Sequence, residues 1–539
     1  MARITGVALL SLAQAIHAQS NFTVASTAPA SAGTPFPAFI SYSIELAFFP
    51  DYAGNASSPG TFSNNLLNNL AHFQGTKPYI RVGGNTQDYA LYDANLPYAV
   101  NGTINPARAV DYPTTVYIGP SFFESYSTWP DVKFSHGFNM ALGANNSAGW
   151  QTLLDTIPLA CKALGGGKLL MWEYGNEPDL YSTSAQGPVR PRTWNESTYV
   201  SQWLNGSRQI KEGVAAACPD LASYGFLAPS YAGVNNHLNP ITTWRDGLDV
   251  DKDIELISSH NYIGGATQPG VTLQKTLMNH TSTVASVALQ LNVSNLLSPF
   301  NLPFTLGETN SLYNEGAPGL SNAYGAALWN IDFALYCASK NISRINFHEG
   351  VGFRYGAWQP QDTDTVTKGT KAPYYGNIAA AAFLSNLTAS TTTIAEIPLT
   401  NEMESAYAAY VNGALKRIII INMHQYNYTI NGTSTLLNPD PRPTRKYTIT
   451  IPTDKAARSS RANAPAALPK SATLRALHAN GSDAITGITY DGYSYNYELN
   501  NGLPVRLPNV TVGHTVKAKD GKFTVPVEDS GAVMVDFGA

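Results

Sequence analysis

Between Pro37 and about Gly350 the sequence runs through one pattern eight times, a short stretch rich in β-branched and aromatic residues followed by a helix-like segment. The stretches fall at residues 37–46, 77–84, 133–142, 168–178, 222–230, 253–262, 302–310 and 343–350. Alternating β and α units imply a parallel sheet, and eight parallel strands imply closure into a (β/α)8 TIM barrel, here expected over residues 37–384. Apolar residues three and four apart predict covering helices at 62–73, 150–164, 199–217, 273–291 and 322–337. Residues 85–132, rich in Pro and Tyr, lie after the second stretch. They are expected to form a loop that walls the C-terminal face, where barrel enzymes keep their sites.

After about Ser385 the pattern changes to alternating runs such as YAAYVNG, KRIIIINM, KYTITIP and FTVPVED, broken by Gly, Pro and Asn. These predict a C-terminal antiparallel β-sandwich over 385–539. Residues 19–36 open with the alternating NFTVAST and are expected to add an N-terminal strand to it; residues 456–472 read as a polar, Pro-rich surface loop.

At 539 residues, two domains are the natural expectation. The 13% charged content, net charge of −4 and lack of long charge runs argue against a nucleic-acid or other polyanion binder. Arg3, the apolar run from Val7 to Ile16 and the small Ala18 have the order of a secretory leader cleaved after residue 18, although a buried strand would give a similar apolar run. Nothing later approaches the roughly 20 apolar residues of a membrane span. The expected product is therefore secreted. Asn21, Asn101, Asn195, Asn279, Asn341, Asn427 and Asn509 stand in Asn-X-Ser/Thr sequences and are candidate acceptors of N-linked glycans. There are three cysteines; Cys161 and Cys218 fit either a pair or buried free thiols, and Cys337 is left over.

The chemistry centres on Glu177, in WEYGNEPDLY, and Glu308, in TLGETNS, at the ends of the fourth and seventh stretches. Glycoside cleavage needs one carboxyl to protonate the leaving oxygen and a second to attack or to activate water, with no cofactor. Strands four and seven face each other across a barrel mouth, and a retaining enzyme needs the two carboxyls about 5–5.5 Å apart. For a lone Glu a solvated surface carboxylate is the ordinary reading; two at matching strand ends, each shortly after a Gly, favour catalysis. Asn176 offers an amide to a sugar 2-hydroxyl, or simply forms a turn. Arg81, ending the second stretch, is placed to hold Glu308 ionised, with a structural salt bridge as the alternative. His260 and His348 read as hydrogen-bonded structural histidines rather than metal ligands, since no Cys or carboxylate cluster stands at ligand spacing, and no metal is expected.

Asn-Glu-Pro on strand four with Gly-Glu on strand seven resembles clan A of the glycoside hydrolases. Within it, SIE, RVGGNTQD, WEYGNEPDLY, SSHNY and GETNSLYNEGAPGLSNAYGAALW resemble glycoside hydrolase family 79, which includes fungal β-glucuronidases and animal heparanases. The resemblance spans essentially the whole chain after the leader. It implies Glu177 as acid/base and Glu308 as nucleophile, with Glu45 and Asn85 on the hydroxyls of the nonreducing sugar and Asn176 on its 2-hydroxyl. Tyr262 would sit beside the nucleophile. Tyr313 and Tyr355 would donate to the glucuronate carboxylate, helped by backbone amides near 314–316, Gly316 among them. The chain departs from the heparanase pattern where Asn314 and Glu315 replace glycines, adding bulk and negative charge beside the sugar acid, and the mouth lacks the basic clusters a sulfated chain needs. The expected activity is exo-hydrolysis of terminal β-glucuronic acid or its 4-O-methyl form. The alternatives are a β-xylosidase or β-glucosidase of the same clan and a non-catalytic carbohydrate-binding protein.

Overall fold

The computed structural model describes residues 19–144, 146–183, 188–452, 469–508 and 510–538. The expected leader, Asn509 and most of the 456–472 loop lie outside these; of that loop, Ser471 and Ala472 open a strand. Eight strands close a parallel barrel: β1 (Ile40–Glu45), β2 (Ile80–Gly83), β3 (Phe134–Phe138), β4 (Leu169–Tyr174), β5 (Phe226–Tyr231), β6 (Ile254–Gly265), β7 (Phe304–Tyr313) and β8 (Ile345–Glu349), with β8 returning to β1. Each expected stretch holds one strand.

Alternation along each strand divides its side chains between two surroundings. In β1, Ile40, Tyr42 and Ile44 join the main apolar core outside the barrel, while Ser43 meets Arg81 within it. Met171, Leu227 and Leu256 form a separate small apolar cluster, and Glu173 lies two residues beyond Met171 on the same side of β4. The barrel interior is thus apolar below and polar toward its mouth, where aliphatic layers would be usual.

The covering helices are α1 (Thr61–Gln74), α2 (Ser147–Ala163), α3 (Glu196–Ala217), α4 (Pro240–Arg245), α5 (His280–Leu297), α6 (Tyr324–Ser339) and α7 (Ala372–Leu384). Between β2 and β3 there is no α-helix; residues 85–132 build a small sheet from Ala90–Tyr92, Val100–Thr103 and Thr115–Ile118 and 3-10 helices at Asn85–Asp88 and Pro120–Ser127. The single helix expected at 273–291 is two elements, a π-helical turn at Leu273–Leu277 and then α5, because the Asn279 side chain accepts from Ser282 N and starts a new helix. Asn279 is buried in this role.

Helices α6 and α7 are buried on every side. An all-round apolar helix needs cover on its outer face, and the C-terminal domain supplies it. That domain has one sheet running β9 (Thr392–Ile397), β10 (Glu404–Val411), β11 (Ala414–Asn422), β15 (Gly531–Asp536), β13 (Ser471–His478) and short strands beyond. The second sheet pairs β12 (Thr444–Thr450) antiparallel with β14 (Lys522–Glu528), and the N-terminal strand Gln19–Thr23 pairs parallel with β12. Phe22, Ile449 and Val525 from this sheet pack with Ala408, Ile418 and Ile420 from the first.

A buried ionic cluster joins the domains. His280 Nδ1 meets Asp332 at 2.9 Å, its Nε2 meets Glu396 at 3.1 Å, and Tyr407 donates to Asp332 at 2.7 Å. Burial pulls the His280 pKa down, but Asp332 and Glu396 more than offset it and raise it to about 10. Cys161, in α2, and Cys218, just after α3, form a disulfide, and Cys337 is a buried thiol. Bridging 57 residues constrains the unfolded chain by roughly 4 kcal/mol. Replacing both with Ser is expected to lower unfolding stability by about 2–4 kcal/mol in a urea titration, with the native fold retained.

Candidate active site

The barrel mouth opens into a cavity of about 610 Å³ lined by Glu45, Asn85, Tyr112, Asn176, Glu177, Tyr262, Glu308, Tyr313, Asn314, Glu315, His348 and Tyr355, among others. At its floor Arg81, 2% exposed, is shared by four groups. Its Nη1 donates to Glu308 Oε2 at 2.7 Å and to Ser43 Oγ at 3.0 Å. Its Nε and Nη2 donate to the two oxygens of Glu173 at 2.7 and 3.1 Å, and Nη2 also donates to Asn176 Oδ1 at 2.7 Å. That last contact settles how Asn176 is turned: its oxygen faces the arginine, so its NH₂ faces the cavity and Asn85 Oδ1, 3.4 Å away.

Glu308 receives a second strong donor, Tyr262 OH at 2.7 Å, and His348 Nδ1 lies 3.5 Å from it. Burial pushes its pKa up, but His348, His260, Arg81 and Tyr262 outweigh burial and hold it below the ordinary carboxylate range. Gly307 keeps the strand close to β6, where a Cβ would overlap Ser258 Oγ.

Glu177 sits in the left-handed region, φ 51° and ψ 48°, with its amide on Ser230 O. A non-glycine residue held there carries backbone strain, a frequent mark of a functional side chain being aimed. Burial and the nearby charge of Glu308 raise its pKa, and His260 Nδ1 shares a hydrogen bond with it at 2.9 Å. Burial lowers the His260 pKa to about 4, so that ring is neutral over most of the pH range.

Oxygens of Glu177 and Glu308 and a nitrogen of His260 lie within 4.8 Å of one another. Such a trio could receive a cation by spacing alone. However, the Arg81 guanidinium is already on Glu308, and Tyr262 occupies the other oxygen, an environment that repels a metal and suits an anionic carboxylate. Two carboxyls this close, one driven toward its charged and one toward its neutral form, can act as nucleophile and acid.

The description of the glycosyl hydrolase family 79 C-terminal beta domain matches residues 406–534. A β-glucuronidase from Neurospora crassa is 52% identical over 100% of both chains, and one from Aspergillus niger is 53% identical over 97% of this chain and 95% of that one. The chain belongs to glycoside hydrolase family 79. A 4-O-α-L-rhamnosyl-β-D-glucuronidase from Fusarium oxysporum, solved with Rha-GlcA, shares the fold at a TM-score of 0.72 and 22% identity, covering 96% of this chain and 100% of that one.

The other family 79 positions fall in two groups. Glu45, Asn85, Asn176, Tyr262 and Tyr355 gather around the two carboxyls, and Tyr313, half exposed, stands at the rim. Glu45 Oε1 accepts from Thr86 N at 2.7 Å, and Oε2 lies 3.4 Å from His348 Nε2. The Gly316 amide donates to Leu312 O at 3.0 Å and its carbonyl accepts from Arg354 Nε at 3.0 Å. Sequence reasoning missed Glu173, whose signal was a charge in an otherwise apolar buried strand, and Asp88, which accepts from the amides of Met140, Ala141 and Asn176. His348, read as a hydrogen-bonded histidine, is one: its Nδ1 lies 2.9 Å from Ser43 Oγ and 3.5 Å from Glu308, and its Nε2 lies 3.4 Å from Glu45.

Replacing Arg81 with Gln leaves Glu173 and Glu308 buried without their cation. The expected cost is about 3–5 kcal/mol of folding stability, read from denaturant unfolding.

Proposed function

We propose that this chain is a retaining β-glucuronidase, secreted after loss of residues 1–18, that releases terminal β-D-glucuronic acid or its 4-O-methyl form. The observation that carries the mechanism is the close approach of Glu177 and Glu308 with their pKa values driven in opposite directions. The activity is supported by full-length relatives, each a β-glucuronidase.

Glu308, anionic under Arg81 and Tyr262, attacks the anomeric carbon while the protonated Glu177 gives its proton to the glycosidic oxygen. The leaving group departs with that proton. In the second step the Glu177 carboxylate takes a proton from water, the water oxygen attacks the anomeric carbon, and Glu308 is released. One oxygen of Glu177 and one of Glu308 lie within 4.8 Å of each other, an approach that favours the retaining spacing of about 5–5.5 Å over the 6.5–9.5 Å at which an inverting enzyme keeps a water between its carboxyls. The NH₂ of Asn176, fixed by Arg81, is presented to the sugar 2-hydroxyl.

Hydrolysis of p-nitrophenyl β-glucuronide beside the matching β-glucoside and β-xyloside tests the activity. Turnover of the glucuronide alone is expected, with Glu177→Gln reducing kcat roughly 10²–10⁴-fold and Glu308→Gln abolishing it. Preference for a neutral sugar refutes the sugar-acid assignment, and an α-configured first product in an NMR time course refutes retention.

The pH dependence follows from the same pair. Glu308 must be ionised, and its lowered pKa keeps it so down to unusually acid pH. Glu177 must be protonated, and its raised pKa keeps it so upward. Both depart in opposite directions from a carboxyl value of 4.5, so kcat/KM is expected to form a broad bell centred on the acid side of neutrality. A maximum above neutrality would contradict this assignment of roles.

A further inference from the structure

The charged side chains that line the cavity are unevenly placed. Glu45, Glu308 and His348 stand on β1, β7 and β8, Asp88 and Glu315 follow β2 and β7, and Glu177 follows β4. Strands β7, β8, β1 and β2 are consecutive around the closed barrel, so all of these charges except Glu177 share one arc of the mouth. The opposite arc, beyond Glu177, is lined by residues 232–236 after β5 and by Ser286, Leu289 and Gln290 of α5, and none of these is charged.

This uncharged arc is fastened to the segment that carries the acid. Glu177 N donates to Ser230 O at 2.9 Å, and Asp179, two residues further on, accepts from Ala232 N at 2.9 Å and from Asn236 Nδ2 at 2.8 Å. On the other flank Gln290 Nε2 donates to His260 O at 3.2 Å, and His260 Nδ1 lies 2.9 Å from Glu177. Ser286, Leu289 and Gln290 are spaced so that one face of α5 looks into the cavity. Leu289 is 49% exposed, and Val234 adds a second apolar side chain among the amides and hydroxyls of this arc.

A retaining cleavage divides the substrate between the two carboxyls: the sugar acid stays with the nucleophile, and the leaving group takes the proton of Glu177. With Glu45, Asn85 and Tyr355 on the charged arc assigned to the sugar acid, the leaving group falls on the uncharged one. Resting on the glucuronidase reading above, we propose that Leu289 is a specificity-determining residue of the leaving-group side, selecting an uncharged ring with an apolar face over an anionic one. Apolar side chains interleaved with amides match such a ring, whose face is C–H and whose edge carries hydrogen-bonding groups. An anionic leaving group would be stripped of water beside Glu177 and Glu308, with no lysine or arginine among the described lining residues to receive it.

The test is kcat/KM for p-nitrophenyl β-glucuronide and for the same glucuronide with a carboxylate added to the nitrophenyl ring, in wild type, Leu289→Arg and Leu296→Arg. The two leaving groups differ in intrinsic reactivity, but that difference is common to the three enzymes and cancels when their substrate ratios are compared. Wild type is expected to favour the neutral substrate, and Leu289→Arg to shrink that preference about tenfold by placing a cation beside the added carboxylate. Leu296→Arg adds the same charge two turns further along α5, where the side chain is exposed but does not line the cavity, and is expected to keep the wild-type preference. Leu289→Lys carries the same expectation should the arginine variant not fold. Equal or better cleavage of the carboxylated substrate by wild type, an unchanged preference in the Leu289 variant, or an equal shift from Leu296→Arg overturns the proposal. Absence of turnover of both glucuronides by wild type, with a neutral glycoside cleaved instead, overturns the glucuronidase reading and this inference with it.

Discussion

Arg81 is a cation buried at the centre of the barrel, and such a charge is tolerated only when every donor it carries is matched. Here Glu173, Glu308, Asn176 and Ser43 match it. The consequence reaches beyond stability. One guanidinium pairs with Glu308, sets the flip of the Asn176 amide and ties strand β4 to β7, so the two halves of the mouth are joined by a single planar fork. Lysine could not replace it, because an ammonium offers a point charge without that geometry.

The barrel and the two principal carboxyls were legible because both depend on local pattern. Alternation between strand-like and helix-like runs is written in consecutive residues, and Glu177 lies just past the end of β4 while Glu308 lies within β7. What was hidden depends on contacts across hundreds of residues. Helix α5 begins at His280 rather than at Leu273 because the Asn279 side chain caps it. The Gly316 amide was expected at the sugar acid from the family resemblance, and only the fold reveals Leu312 O as its partner. The pairing of Arg354 with Asp111, more than two hundred positions earlier, could likewise not be read from sequence.

The site is assembled from loops of different kinds. Glu177 and Glu308 stand on a strand end and a strand, where neighbouring backbone leaves little freedom. The outer wall is built from the segments carrying Asp111, Glu315 and Arg354, which are tied to each other more than to the barrel. Chemistry and recognition are thereby mounted separately: the inner layer can stay rigid while the outer layer is free to diverge among relatives that share the reaction.

The strand Gln19–Thr23 lies beside β12, more than four hundred residues later in the chain. The barrel is therefore spliced into the sandwich, which cannot finish its second sheet until nearly all of the chain has left the ribosome. The other sheet of that sandwich lies over α6 and α7, so a barrel cut free of it would present the outer faces of both helices as bare apolar surface. Seen this way the sandwich is a cover that the barrel cannot shed, quite apart from anything it does at the mouth.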